Sequence, residues 1–218
     1  MLSERSEERT PVLRVFRTHP IQVVRTALVL FQGFGVTLVF GFGLSYATQP
    51  QFGIELPYST MLWVAIVSNA SALITRPLFG MLADRVGRRP VMVTGLLGSA
   101  IVGFGYFTAI ADRNVPLVFV LGILLAGGAL AATTGVFMAF IGEQFDTSVR
   151  MSGSSIGFML GISVGGFAPT IAAALVTETA WIPAPLLQAA GMLVTASAVF
   201  FAPETCRVPL RDLGKASR

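Results

Sequence analysis

Six stretches of mainly apolar residues run along the chain, at 27–47, 59–82, 91–110, 117–141, 153–176 and 183–202. A helix of about 20 residues rises about 30 Å, which is the thickness of a bilayer's hydrocarbon core. Inside that core every backbone polar group must be satisfied by the protein itself, so only helices or closed barrels can cross it. The stretches are too long, and alternate too little, for barrel strands. Charged residues make up 12% of the chain, about half the share a soluble domain carries, and the mean hydropathy is +0.75. So little charge cannot coat a soluble surface of this size. The sequence therefore predicts an all-α, polytopic membrane protein. Residues 1–24 form a basic leader, 25–202 a six-helix transmembrane bundle, and 203–218 a tail.

The single cysteine, Cys206, excludes a disulfide framework, and the single histidine, His19, excludes His-cluster metal chemistry. No nucleophile–base pair, metal motif or phosphate loop is visible, so neither an enzyme nor a cofactor is expected. The net charge of +4 is topological in its distribution. With six spans both termini share a side. That side holds Arg5, Arg9, Arg14, Arg17 and Arg25, then Arg85, Arg88 and Arg89, then Arg150, and finally Arg207, Arg211, Lys215 and Arg218; the other side holds Arg113 alone. The positive-inside rule places both termini in the cytoplasm and the bundle in the plasma (inner) membrane. The basic residues then face anionic headgroups, and no nucleic-acid partner is expected. The leader shows no pattern of a cleaved signal peptide. Its stretch at 11–17 mixes apolar and basic residues at near-helical spacing, as an interfacial helix does, and His19 lies in the same juxtamembrane stretch.

Polar groups within the spans are costly and so informative. Arg76 lies seven residues before Ala83, about 10 Å from the end of its span at the helical rise. Either it snorkels or pairs with a loop carboxylate, or it faces a cavity as an anion contact or a gate. Pro77 next to it would favour a kink. No Asp or Glu lies in mid-membrane. Gln32, Ser68, Asn69, Thr133 and Thr134 are candidate cavity liners, with interhelical hydrogen bonding as the alternative. Trp63 reads as an interfacial anchor. Gly153, Gly157, Gly161 and Gly165 form a stripe at spacing four. It is read either as static close packing or as a smooth surface for sliding helices.

The loop after the second span carries Gly80, Leu82, Asp84, Arg85, Gly87, Arg88 and Arg89. It resembles the signature G-x-L-x-D-R-x-G-R-R of the major facilitator superfamily at every defined position. Glu143, Phe145, Val149, Arg150, Ser152 and Gly153 are similar to a stretch that follows the tenth helix in the sugar-porter and metabolite–proton symporter branches, with Asp146 where proline is usual. Pro203-Glu204-Thr205 resembles the P-E-T after the twelfth helix. The leader, with His19-Pro20, is similar to the central linker of the metabolite–proton symporters.

In this order the matches imply the C-terminal six-helix half of such a transporter. The resemblance implies that the seven residues of the signature loop form a cytoplasmic latch, with Asp84 gripping the opposite half. It also implies that Glu143 and Arg150 pair within this half, and that spans one, two, four and five line the cavity while three and six face lipid. The expected function is secondary active, proton-coupled uptake of a small organic solute, a carboxylate or related metabolite. The partners would be the bilayer, the solute and proton, and either a missing N-terminal six-helix half or a second copy of the chain. The alternative is a transport-inactive six-helix fragment or a membrane interaction protein.

Overall fold

The structure is a computed structural model that describes residues 20–144, 150–176 and 182–202. Six helices long and apolar enough to cross a membrane account for the expected spans: α1 (Ile21–Thr48), α2 (Tyr58–Val86), α3 (Arg88–Ala111), α4 (Val115–Glu143), α5 (Met151–Leu175) and α6 (Pro183–Phe200). The chain is an integral membrane protein. The leader, the tail and the segment at 145–149 fall outside the described residues. α1 begins earlier than its apolar run suggests, because Gln22 and Thr26 are buried and keep their polar atoms off the lipid.

The helix ends follow local chemistry. Gly87 takes φ 115° and ψ 149° between α2 and α3, a conformation open to glycine. Asn114 caps α4, its side-chain oxygen accepting from the Leu117 N–H at 3.2 Å, with Pro116 in the first turn. α2 continues unbroken through Pro77. Three spans instead depart from α geometry: α1 widens to a π turn over Leu38–Phe42 and α4 over Leu124–Leu130, and α5 breaks at Gly166 and Phe167, ahead of Pro169.

α3 and α6 pack along their lengths, and α1 lies against both α5 and α6. Gln188 of α6 is fully buried in the notch left by Gly103 and donates from Nε2 to the Ser99 carbonyl at 2.9 Å. Two glycine ladders bring other pairs close. On α4, a Cβ at Gly122 would stand 2.7 Å from Ser68 Oγ, one at Gly127 would stand 3.0 Å from Ser71 Cβ, and one at Gly135 would stand 2.6 Å from the Arg76 carbonyl, all on α2. On α5, Gly157, Gly161 and Gly165 meet Thr26, Leu30 and Phe34 of α1. Such small residues let helix backbones approach where no hydrophobic force separates helix from lipid. Gly153 is buried on the same stripe.

At the end away from the basic loop, Phe42, Tyr46, Phe52 and Phe107 form an aromatic cluster with ring centroids 5.4–6.4 Å apart. There Arg113 donates to the Gly53 carbonyl and joins two connections. The burial is uneven. Of the most apolar stretches of α2 and α5, 17% and 22% are buried, against 44% or 50% for the other four spans. α3 and α6 are thus inner partners of each other, and the bundle leaves α2 and α5 open.

Candidate functional site

The signature loop sits where two helices cross. Gly80 faces Gly135, a Cβ on Gly80 reaching 3.7 Å from the Gly135 carbonyl, so the turn starts from a close α2–α4 contact. Beyond it Leu82, Asp84 and Arg85 are exposed, Ala83 and Gly87 are buried, and the Gly87 N–H closes α2 on the Ala83 carbonyl at 2.9 Å. Arg88 opens α3 and points across to α4, its guanidinium 2.6 Å from Glu143 and 3.6 Å from Asp84. Arg88 and Glu143 are mostly buried, whereas the Asp84 side chain is 68% exposed. Shielded from water, the two charges attract more strongly than a surface pair does, against a larger desolvation cost. Arg89 lies over the Phe200 ring, 4.5 Å from its centroid, and so engages α6. Two consecutive residues of α3 thereby hold α4 and α6 at the basic end.

Glu143 was expected to pair with Arg150. Its described partner is Arg88, and the Arg150 side chain lies outside the described residues. Nothing in the residue spacing singled out Arg88 from Arg85 and Arg89. Only the register of α3 against α4 does so.

The five candidate cavity liners separate. Gln32 and Thr134 meet at a cavity of about 250 Å³ between α1, α4 and α5, walled by Val36, Phe137, Phe158 and Ile162. Gln32 is buried and its Oε1 has no hydrogen-bond partner. Thr134 donates its hydroxyl to the Leu130 carbonyl at 2.8 Å, which leaves its oxygen lone pairs for the cavity. Thr37 also lines it, and its one hydroxyl proton is within reach of the Gly33 carbonyl of its own helix at 2.8 Å and the Gly165 carbonyl of α5 at 2.9 Å. Thr37 was missed in the sequence, because a spacing of five puts it about 140° around an α-helix from Gln32 and so gives no hint of a shared cavity. Thr133 is buried in the α4–α3 contact, beside Gly95, and donates to the Leu130 carbonyl. Ser68 is buried against Gly122 with its hydroxyl unpartnered. Asn69 is exposed and donates to the Ala65 carbonyl one turn back.

Arg76 is exposed on α2, away from this cavity, and makes no hydrogen bond or ion pair among the described residues. The described carboxylates, Glu55, Asp84, Asp112 and Glu143, all stand at span ends. No group of three His, Cys, Asp or Glu side chains suited to a metal ion occurs among the described residues.

Known proteins similar to this chain place it in a family. The chain is similar to the shikimate transporter of Escherichia coli (strain K12), 32% identical over 195 residues that make up 88% of this chain and 44% of that protein. It is 30% identical over 156 residues to the glycine betaine/proline/ectoine/pipecolic acid transporter OusA of Dickeya dadantii (strain 3937), covering 71% of this chain and 31% of OusA. It is 32% identical over 158 residues to the inner membrane metabolite transport protein YhjE of Escherichia coli (strain K12), covering 69% and 34%. The chain thus spans less than half the length of these curated relatives. All three are named as transporters and none as an enzyme. The profile of the Major Facilitator Superfamily matches residues 25–217. With the signature loop folded as the clamp between its second, third and fourth spans, this chain belongs to the Major Facilitator Superfamily.

Proposed function

We propose that the bundle is one six-helix half of a secondary active transporter. It would take up a small organic solute, a carboxylate or related metabolite, together with protons, by alternating access. The basic end would face the cytoplasm and the protein would sit in the inner membrane, in keeping with the charge asymmetry. The observation that carries the reading is the cavity at Gln32, Thr37 and Thr134. It is a small, mostly apolar chamber in which a buried amide oxygen has no protein partner. Such a group costs free energy unless something else completes its hydrogen bonds, and a solute would do so. The named transport roles of the relatives support the same reading. The exposed apolar sides of α2 and α5 fit a second six-helix unit, either an N-terminal half or another copy. Arg76, exposed on α2, would hold an anionic solute or gate its path, and the Asp84–Arg88–Glu143 cluster would carry the coupling proton or the latch.

The test is uptake into proteoliposomes of labelled carboxylates and related metabolites under an imposed proton gradient. The chain would be used alone and together with a complementary six-helix half. Gln32→Leu is expected to lower uptake at least tenfold at unchanged membrane abundance, the loss expected when a buried hydrogen-bond partner is removed. Uptake equal to that of the unmodified protein would remove the cavity from the pathway.

A further inference from the structure

A second hollow lies on the outside of the bundle, at the basic end, between the start of α1 and the end of α6. It encloses about 470 Å³ and is walled by Ile21, Val24 and Leu28 on one side and Val194 and Phe201 on the other. These positions recur at intervals of three, four and seven, so each helix turns one apolar stripe toward the groove. Ser197 lies in the floor, but its hydroxyl is used by the Val194 carbonyl at 2.7 Å, so it adds little polarity. One charged group borders the groove. Arg25 is partly buried and makes no hydrogen bond or ion pair among the described residues. Beside the groove, Phe201 stacks edge-on against Phe200, which carries Arg89 on its face. The sequence flanking both walls is net basic, with Arg5, Arg9, Arg14 and Arg17 against Glu4, Glu7 and Glu8 before α1, and Arg207, Arg211, Lys215 and Arg218 against Glu204 and Asp212 after α6.

We propose that this groove holds one acyl chain of an anionic phospholipid from the leaflet at the basic end, with its phosphate on the Arg25 guanidinium. The apolar stripe suits a hydrocarbon chain, and the cation at its rim suits the phosphate, which lies at headgroup depth in that leaflet. An acidic peptide is disfavoured because its backbone would meet walls with almost no polar group to pair with. The groove shares no lining residue with the Gln32 cavity and the proposal does not depend on the transport reading.

The test uses the full chain, purified in mild detergent and offered phosphatidylglycerol or phosphatidylcholine with the same acyl chains. Retained lipid is counted by native mass spectrometry. Phosphatidylglycerol is expected to be retained about fivefold over phosphatidylcholine, the preference one cation gains near an anionic headgroup. Arg25→Gln should bring the ratio to about one, Arg25→Lys should keep it, and Arg85→Gln, at an exposed loop position, should also keep it. Ser197→Trp, which fills the groove, should lower retention of both lipids, and it tests the site even if Arg25→Gln does not fold. Equal retention of the two lipids, an unchanged ratio in Arg25→Gln, or full retention in Ser197→Trp would overturn the proposal.

Discussion

Gly161→Ala should loosen the bundle even though alanine is the better helix former. At this position a Cβ would overlap Leu30 Cβ and come within 3.1 Å of both the Ala27 carbonyl oxygen and the Leu30 carbonyl carbon. Two of these three atoms are backbone and the third is fixed to it, so no side-chain rotation makes room. α5 must move off α1 by several tenths of an ångström. That shift also disturbs the neighbouring contacts of Gly157 and Gly165 and the 2.9 Å bond from Thr37 to the Gly165 carbonyl. Overpacking of this kind costs about 1–3 kcal/mol, and a strained interhelical hydrogen bond adds about 0.6 kcal/mol. The gain in helix propensity offsets about 1 kcal/mol, leaving a net loss of about 0.6–2.6 kcal/mol. Gly128→Ala is the matched control, because nothing stands within 4 Å of its Cβ position, and it should be neutral or gain up to about 1 kcal/mol. In a chain of this length the two variants should melt roughly 1–14 °C apart, Gly161→Ala the lower. The assay is thermal unfolding in one detergent, followed by intrinsic fluorescence. A midpoint for Gly161→Ala at or above that of the unmodified protein would refute the packing argument and return the stripe to the sliding-surface reading.

Three further outcomes follow from single contacts. Ser68→Ala removes a buried hydroxyl that has no partner, so it should leave stability unchanged or raise it by up to about 1 kcal/mol, and uptake should not change; a clear drop in uptake at normal stability would put Ser68 on the pathway. A double-mutant cycle on Arg88 and Glu143, 2.6 Å apart and mostly buried, should give a coupling of about 1–3 kcal/mol, between the surface and fully buried cases; a coupling near zero would show that the basic end is held by something else. Gly103→Ala drives a methyl group into the Gln188 amide, 2.5 Å from its Nε2, and should cost about 2–3 kcal/mol. Adding Gln188→Ala should return part of that loss, since the two sites share one space, and strictly additive losses would contradict the notch.

The spans and the signature loop were legible because both are written in residue type. Length and hydropathy set the crossings, and seven defined positions set the loop. The faces of the helices were not legible. A helix in water shows its core side by contrast with its polar side, but here lipid and core are equally apolar. Nothing in α2 therefore distinguished Ser68, which packs on Gly122, from Asn69 one residue later, which faces outward. Thr133 and Thr134 part in the same way, one toward α3 and one toward the cavity. Glycines carried the missing information only in pairs. Gly122, Gly127 and Gly135 mark the α4 contact once α2 is known to lie against them. The π turns at Leu38–Phe42 and Leu124–Leu130 left no signal either, because an extra residue in a turn is decided by what packs on it rather than by propensity.

The position of those two π turns bears on how such a half could move. The ends of the bundle are pinned. Arg88 and Arg89 tie the start of α3 to α4 and α6, and the aromatic cluster with the Arg113–Gly53 contact ties the other end. Along their lengths, α1 with α5 and α2 with α4 are held by glycine ladders, whose contacts are to backbone at Gly135 and Gly165 and include side-chain atoms at the other rungs. Sliding within either pair would break several contacts at once, and packed interfaces of this kind switch between discrete arrangements rather than shear smoothly. The irregular turns lie in α1 and α4, the two helices that supply Gln32, Thr37 and Thr134, and they begin one residue after Thr37 and end four before Thr134. π turns inside α-helices occur frequently at functional sites. If the chain works as one half of a transporter, as proposed above, the bundle would rock as one body against its partner while its helices adjust locally beside the cavity, the division of labour alternating access asks of each half.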